Sequence, residues 1–171
     1  MIKLHDFKAN RLSLNWETIL IGLEGPGKFP AQIMPKDVVA YAIDLILQDD
    51  NQSDNIWVLA GLNEIDKSEI KKLVQELANS EKIVREVELD KWKVMILGKV
   101  LNELSNEPIY DLIKLTEFWE RFDFPADNPH VVQGVGNNIS PEDYYTKENY
   151  DIIINRHKKW IERKLTQVRG I

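Results

Sequence analysis

The clearest pattern in the chain lies in residues 147–168, KENYDIIINRHKKWIERKLTQV. Apolar and aromatic side chains recur there every three or four residues, which is the spacing of one face of an α-helix. The opposite face carries Arg156, Lys159 and Arg163. The segment therefore predicts a long amphipathic helix with one buried face. The side chains expected on that inward face are Tyr150, Ile153, Ile154, His157, Trp160, Ile161, Leu165 and Val168.

Helical spacing continues through most of the chain before this segment, and the sustained alternation typical of strands is almost absent. Pro35 and Pro108 suit the first turn of a helix, because the amide that proline lacks would have no partner there. Asp90 is predicted to be an N-cap that follows a break near Leu89. Helices are predicted at 15–23, from 35, at 67–78 with a helical continuation through 81–88, at 90–104, at 108–122, from 141 and at 147–168. Residues 56–62 are open between a short helix and a buried strand.

One long irregular stretch interrupts the helices. Residues 123–140 contain two prolines, two glycines and three asparagines, which favour turns. Long loops in compact domains are commonly functional or mobile. Ser140 and Pro141 then restart a helix as its N-cap and first residue. The chain is therefore predicted to be all-α: an antiparallel helical array or bundle of about seven helices in a single domain, residues 1–171, with this loop at about 123–140.

The composition excludes several kinds of chemistry and favours one kind of partner. The 171 residues include no cysteine, which excludes disulfides, thiolate catalysis and cysteine-ligated metal sites. The first residues lack the pattern of a secretory leader, and no apolar run is long enough to span a membrane, so we expect a cytoplasmic protein that does not bind membranes. The formal charge of −6 makes a basic protein an easier partner than nucleic acid.

The motifs that hold cofactors or metals do not fit this sequence. The glycine-rich turn at 22–28 lacks the spacing of a phosphate-binding loop. Residues 49–60 resemble an EF-hand only in their first positions, because Asp54 and Ala60 stand where a glycine and a bidentate glutamate are required. We therefore expect no cofactor and no metal.

The long loop contains one candidate for acid–base chemistry. His130 lies close in sequence to Asp127, and Asp123 and Asp143 flank it. An imidazole beside a carboxylate is a common general base or metal ligand. This pattern leaves open a hydrolase that uses a metal or general acid–base catalysis, although polar residues in loops more often stabilise turns.

A different set of residues predicts a surface for a protein partner. Acidic side chains cluster between residues 49 and 66, where a patch of carboxylates would attract a basic protein. The alternative is a solvated surface that has no partner. The residues assigned to partner binding are Asp49, Asp50, Asp54, Glu64, Asp66, Asp127 and His130.

Four short segments distributed along the chain carry a family resemblance. They are Leu14-Asn15-Trp16, Met34-Pro35-Lys36-Asp37-Val38-Val39, Lys91-Trp92 and Asp123-Phe124-Pro125. In this order the segments resemble a small bacterial family of proteins of unknown function. Such families are similar in character to the immunity proteins of bacterial polymorphic toxin systems, which implies a non-enzymatic protein that neutralises a basic toxin domain by binding it. A helical scaffold that holds a peptide in an apolar groove is a further alternative.

Overall fold

The computed structural model describes residues 2–169, and over these residues the fold is helical with no strand. The chain forms two compact units, the first ending at Trp92 and the second beginning at Lys93. The helices in the described range are α1 (Leu4–Ala9), α2 (Trp16–Glu24), α3 (Pro35–Gln48), α4 (Asp54–Ala60), α5 (Lys67–Ser80), α6 (Arg85–Asn102), α7 (Pro108–Glu120), α8 (Pro141–Tyr144) and α9 (Lys147–Arg169).

The first unit is built on the packing of α2 against α5 and of α3 against α4, and both α3 and α4 also contact α5. Burying a large apolar side chain contributes about 1.5–3 kcal/mol. At Gly22, in α2, the backbone lies close to the side chains of Trp92 and Ile33. A Cβ at this position would lie 2.5 Å from the ring of Trp92 and would also overlap Ile33. The fully buried core of this unit includes Phe7, Ile19, Leu20, Val38, Leu59, Ile70, Val74 and Trp92.

A buried polar cluster joins α6 to the segment that leads into α2. The ammonium group of Lys91 lies 2.7 Å from the carboxylate of Glu88, and both side chains are buried. The same group donates to the carbonyl oxygen and the hydroxyl oxygen of Ser13, at 3.0 and 2.8 Å, while Glu88 accepts from the hydroxyl of Thr18. Each of the three ammonium hydrogens therefore has an acceptor, and the Lys91 side chain links α6 to Ser13.

The second unit packs α7 and α8 against α9. The hydroxyl of Tyr150 on α9 donates to the carboxylate of Asp111 on α7 at 3.0 Å, and the amide and hydroxyl of Ser105 donate to the same carboxylate. Burial raises the pKa of Tyr150 to about 12, and the charge of Asp111 adds to the effect. Burial also opposes ionisation of Asp111, but the hydrogen bonds outweigh it and its pKa is lowered. An ionised carboxylate thus ties the two helices together.

The long loop predicted from the sequence contains neither helix nor strand, and one side chain holds its centre. Oδ1 of Asn137 accepts from the amides of Gly134 and Ile139, both at 3.2 Å. Its Nδ2 donates to the carbonyl oxygens of Val132 and Val135, at 2.8 and 2.9 Å. The loop is therefore organised by internal hydrogen bonds.

The structure corrects the prediction in two places. Nine helices occupy residues 2–169 where about seven were expected, and α1 is absent from the prediction. The predicted break near Leu89 is wrong, since α6 runs through it and Asp90 is an internal helical residue. The interruption falls at 81–84, where Lys82 has a positive φ of 50°. The segment 56–62 that was open between helix and strand begins in α4 and is helical there.

Candidate functional site

The carboxylates predicted to bind a partner lie at both ends of α4. Asp49 and Asp50 follow the last residue of α3, Asp54 is the first residue of α4, and all three are exposed. Glu64 and Asp66 lie in the turn between α4 and α5. Because a seven-residue helix is about 10 Å long, the predicted patch consists of two groups separated by the length of α4.

The charges along this part of the chain have one sign. Between Lys36 and Lys67 there is no lysine, arginine or histidine. The same interval contains seven carboxylates, six of them exposed, and this arrangement gives α3 and α4 a negative potential that attracts basic groups. The seven are Asp37, Asp44, Asp49, Asp50, Asp54, Glu64 and Asp66.

Large apolar side chains are exposed within the same interval. Leu47 is 79% exposed, Ile65 is 77% exposed and Trp57 is 49% exposed. Ile43 lies one helical turn before Leu47 and therefore shares a face of α3 with it. Half-exposed tryptophan is notable because this residue is enriched where proteins bind one another. We define the acidic apolar surface as the eight exposed acidic and large apolar side chains within residues 43–58, which span the second half of α3, the following turn and α4: Ile43, Asp44, Leu47, Asp49, Asp50, Asp54, Trp57 and Val58.

A groove of about 770 Å³ lies between α1 and α3. Its apolar lining includes Leu4 from α1, Leu14 from the following segment, and Met34 and Tyr41 at and within α3. The ring of Tyr41 packs edge-on against Trp16, with 5.5 Å between the ring centroids. This contact holds the ring of Tyr41 in place where it lines the groove.

Asp127, in the second unit, is bound to α9. Its carboxylate accepts from Nε1 of Trp160 at 3.2 Å and lies 2.9 Å from the ammonium group of Lys164. Partial burial opposes ionisation, but Lys164 and then Trp160 outweigh it, and the pKa of Asp127 is lowered. The side chain therefore fastens the long loop to the last helix.

His130 is buried, with only 8% of its surface exposed. Its Nε2 lies 2.8 Å from the hydroxyl oxygen of Thr116, and its Nδ1 has no hydrogen-bond partner among the described residues. Burial, together with the neighbouring ring of His157, lowers the pKa of His130 to about 3. Of the carboxylates considered with it, Asp143 accepts from the hydroxyl of Ser140 at 2.9 Å. The structure thus shows His130 as a neutral packed side chain whose ring nitrogens contact no carboxylate of residues 2–169.

His157 is the second buried imidazole, and its ring centroid lies 5.4 Å from that of His130. Its Nε2 accepts from Nε1 of Trp119 at 2.8 Å. Nδ1 therefore carries the proton and donates to the carbonyl oxygen of Ile153 at 2.7 Å. Burial lowers the pKa of His157 to about 4. The two neutral rings fill the space between α7, α9 and the long loop.

The side chains of this protein that are typical metal ligands are carboxylates and imidazoles, because the sequence contains no cysteine. Over residues 2–169 no three such side chains are arranged to hold a metal ion. Within the same range no helix has both the length and the apolar character that crossing a membrane requires.

Two features of the first unit are not predicted from the sequence: the position of the groove, between α1 and α3, and the exposure of apolar side chains on α3. Ile43 belongs to a wide apolar arc of α3, which predicts neighbours on several sides, whereas the structure leaves Ile43 exposed, as it does Leu47. The signal that marks this region is the unbroken acidic interval between Lys36 and Lys67.

Comparison with known proteins identifies a family for this chain. A family model, DUF2247, described as an uncharacterized protein conserved in bacteria, matches residues 4–165. The match confirms the resemblance to a bacterial family of unknown function. Neither the curated proteins nor the solved structures give a match to this chain.

Proposed function

The chain belongs to this family of uncharacterized bacterial proteins, and we propose that it is a non-enzymatic binding protein whose partner is a basic protein. The observation that carries the proposal is the acidic apolar surface. It exposes Trp57 and Leu47 within an interval that contains carboxylates and no basic side chain. Burying the apolar groups against a partner supplies about 25 cal/mol for each Å², while the carboxylates steer a basic protein towards them.

The particular role proposed is that of an immunity protein that neutralises a toxin domain. Neutralisation by occlusion requires only affinity and a surface complementary in charge, and the protein offers such a surface on α3 and α4. The role also places the protein in the cytoplasm, where it would meet a toxin before the toxin acts. Supporting it are the bacterial family, the net charge of −6 and the exposed tryptophan.

The direct test is co-expression with the toxin domain encoded by a neighbouring gene. We expect the protein to restore growth and to copurify with that domain as a stable complex. Absence of both the complex and the rescue would contradict the proposal.

The surface itself is tested by two matched variants. Trp57→Ser removes the central aromatic side chain and should weaken the complex about 30-fold, because truncating an interface tryptophan typically costs about 2 kcal/mol or more. Val135→Ser is the control, since Val135 is 69% exposed but lies in the loop of the second unit. Equal affinities for Trp57→Ser, Val135→Ser and the wild type would show that the partner binds elsewhere.

A further inference from the structure

The groove between α1 and α3 follows the whole length of α3. Its lining begins at Met34, the N-cap residue, and continues to Gln48, the last residue of the helix. At 1.5 Å per residue this separation corresponds to about 21 Å, or about four helical turns. The groove is therefore long enough to hold a helix of about 15 residues with its outer half in solvent.

The floor of the groove is apolar. Tyr41 and Leu45 lie one helical turn apart and so present their side chains on the same side of α3. A floor of this kind matches the apolar face of an amphipathic helix, in which anchors recur at i, i+3 or i+4, and i+7. The apolar side chains used here are Leu4, Leu12, Leu14, Met34, Tyr41 and Leu45.

The two walls carry opposite charges. The wall formed by α1 contributes the basic side chains Lys3, His5 and Lys8, and the wall formed by α3 contributes Asp37 and Asp44, with Lys36 at its first turn. A ligand with only negative charges would be repelled by Asp37 and Asp44, and a ligand with only positive charges would be repelled by Lys3 and Lys8. A helix with acidic residues along one edge and basic residues along the other pairs with both walls.

We infer that this groove binds an amphipathic helix of the partner protein, acidic along one edge and basic along the other. The inference rests on the proposed function, because the occupant is a segment of the bound protein. It also fits the placement of the acidic apolar surface, since Leu47 of that surface and Leu45 of the groove lie on the same helix. One partner can therefore contact both sides of α3.

Three synthetic peptides of about 15 residues test the inference. They share one leucine face and differ in their edges: glutamate on one and lysine on the other, glutamate on both, or lysine on both. A peptide with its two edges exchanged is not a suitable control, because it could bind in the reverse direction and still pair with both walls. The control peptides therefore carry charges of one sign on both edges. Binding is followed by the amide signals of ¹⁵N-labelled protein. The mixed-edge peptide should shift amides of α1 and α3 and bind at least about threefold tighter than either control, as expected for exposed ion pairs.

Two charge reversals supply the matched variants. Asp44→Lys and Lys8→Glu change exposed side chains of opposite walls, and each should weaken the mixed-edge peptide about threefold. Glu162→Lys, at an exposed carboxylate of the second unit outside the groove lining, should leave its affinity unchanged.

Three results would overturn the inference. The first is a mixed-edge peptide that shifts no amide of α1 or α3 at millimolar concentration. The second is equal affinity for all three peptides, and the third is tighter binding of myristate at the same amides, which would assign the groove to an anionic small molecule. If the peptides fail while the partner complex still depends on Trp57, only the groove inference falls. Loss of the partner complex itself removes the proposed function instead.

Discussion

The two buried imidazoles should make the second unit sensitive to mild acid. Burial and the neighbouring ring hold the pKa of His130 at about 3, and burial holds that of His157 at about 4. In the unfolded chain a histidine has a pKa of about 6.5. Below that pH the histidines of the unfolded state bind protons, whereas those of the folded state do not. Their contribution to the free energy of unfolding is therefore fully present above about pH 6.5 and is lost as the pH falls towards the folded-state pKa values.

The size of the effect follows from the same pKa values. At pH 5 the pH lies about 1.5 units below the pKa of an imidazole in the unfolded chain. This difference lowers the free energy of unfolding by about 2 kcal/mol for each histidine and about 4 kcal/mol for the pair. Asp111 and Asp127 have lowered pKa values and stay ionised in both states over this window, so their contribution is lost only at lower pH. Glu81 has a raised pKa, so its effect on stability changes with pH in the opposite direction. It lies in the first unit and does not enter the comparison for the second unit.

The assay is a urea titration at pH 7 and at pH 5, followed by the amide signals of α7 and α9. The double variant His130→Gln/His157→Gln keeps polar side chains at both positions but carries no buried imidazole. We expect the difference between the two pH values to fall from about 4 kcal/mol to below about 1 kcal/mol. His5→Gln, at an exposed histidine, is the control and should behave as the wild type does. A wild-type difference below about 1 kcal/mol, or one unchanged in the double variant, would show that His130 and His157 do not cause the acid sensitivity.

Three further predictions concern the rest of the fold. Lys91→Met should lower the free energy of unfolding by about 3–5 kcal/mol, because Glu88 becomes a buried unpaired charge, and adding Glu88→Gln should recover most of the loss; a single variant as stable as the wild type in urea would contradict the pairing. Gly22→Ala should cost about 1–3 kcal/mol through overpacking. Its control Gly98→Ala, whose Cβ meets nothing within 4 Å, should be neutral or stabilise by up to about 1 kcal/mol; equal melting temperatures would speak against the close approach. Asn137→Ala should speed hydrogen exchange at the two loop amides that donate to this side chain, and unchanged protection would show that the loop is held otherwise.

Local signals in the sequence predict much of the fold. Pro35 and Pro108 begin helices as expected, and Ser140 caps α8 by accepting from the amide of Asp143 at 3.1 Å. The inward positions of the last helix include Trp160, which is buried. Each of these outcomes depends on residues within a few positions of one another, which is why the pattern is visible without the structure.

Outcomes that depend on distant residues could not be predicted in the same way. The helix continues through Asp90 while Lys91, the next residue, is drawn into a buried cluster with Ser13, far away in the sequence. His130 suggested an accessible base because it lies in a loop, but packing against α7 and α9 buries it. For the candidate site, the sequence identifies the acidic positions, whereas the groove requires α1 and α3 to be brought together.

The proposed function requires that a basic protein binds to α3 and α4. This is tested by hydrogen exchange of the protein, measured with and without the toxin domain encoded by a neighbouring gene. We expect protection on binding to be concentrated in residues 43–58. Protection confined to α7 and α9, with α3 and α4 unchanged, would contradict it.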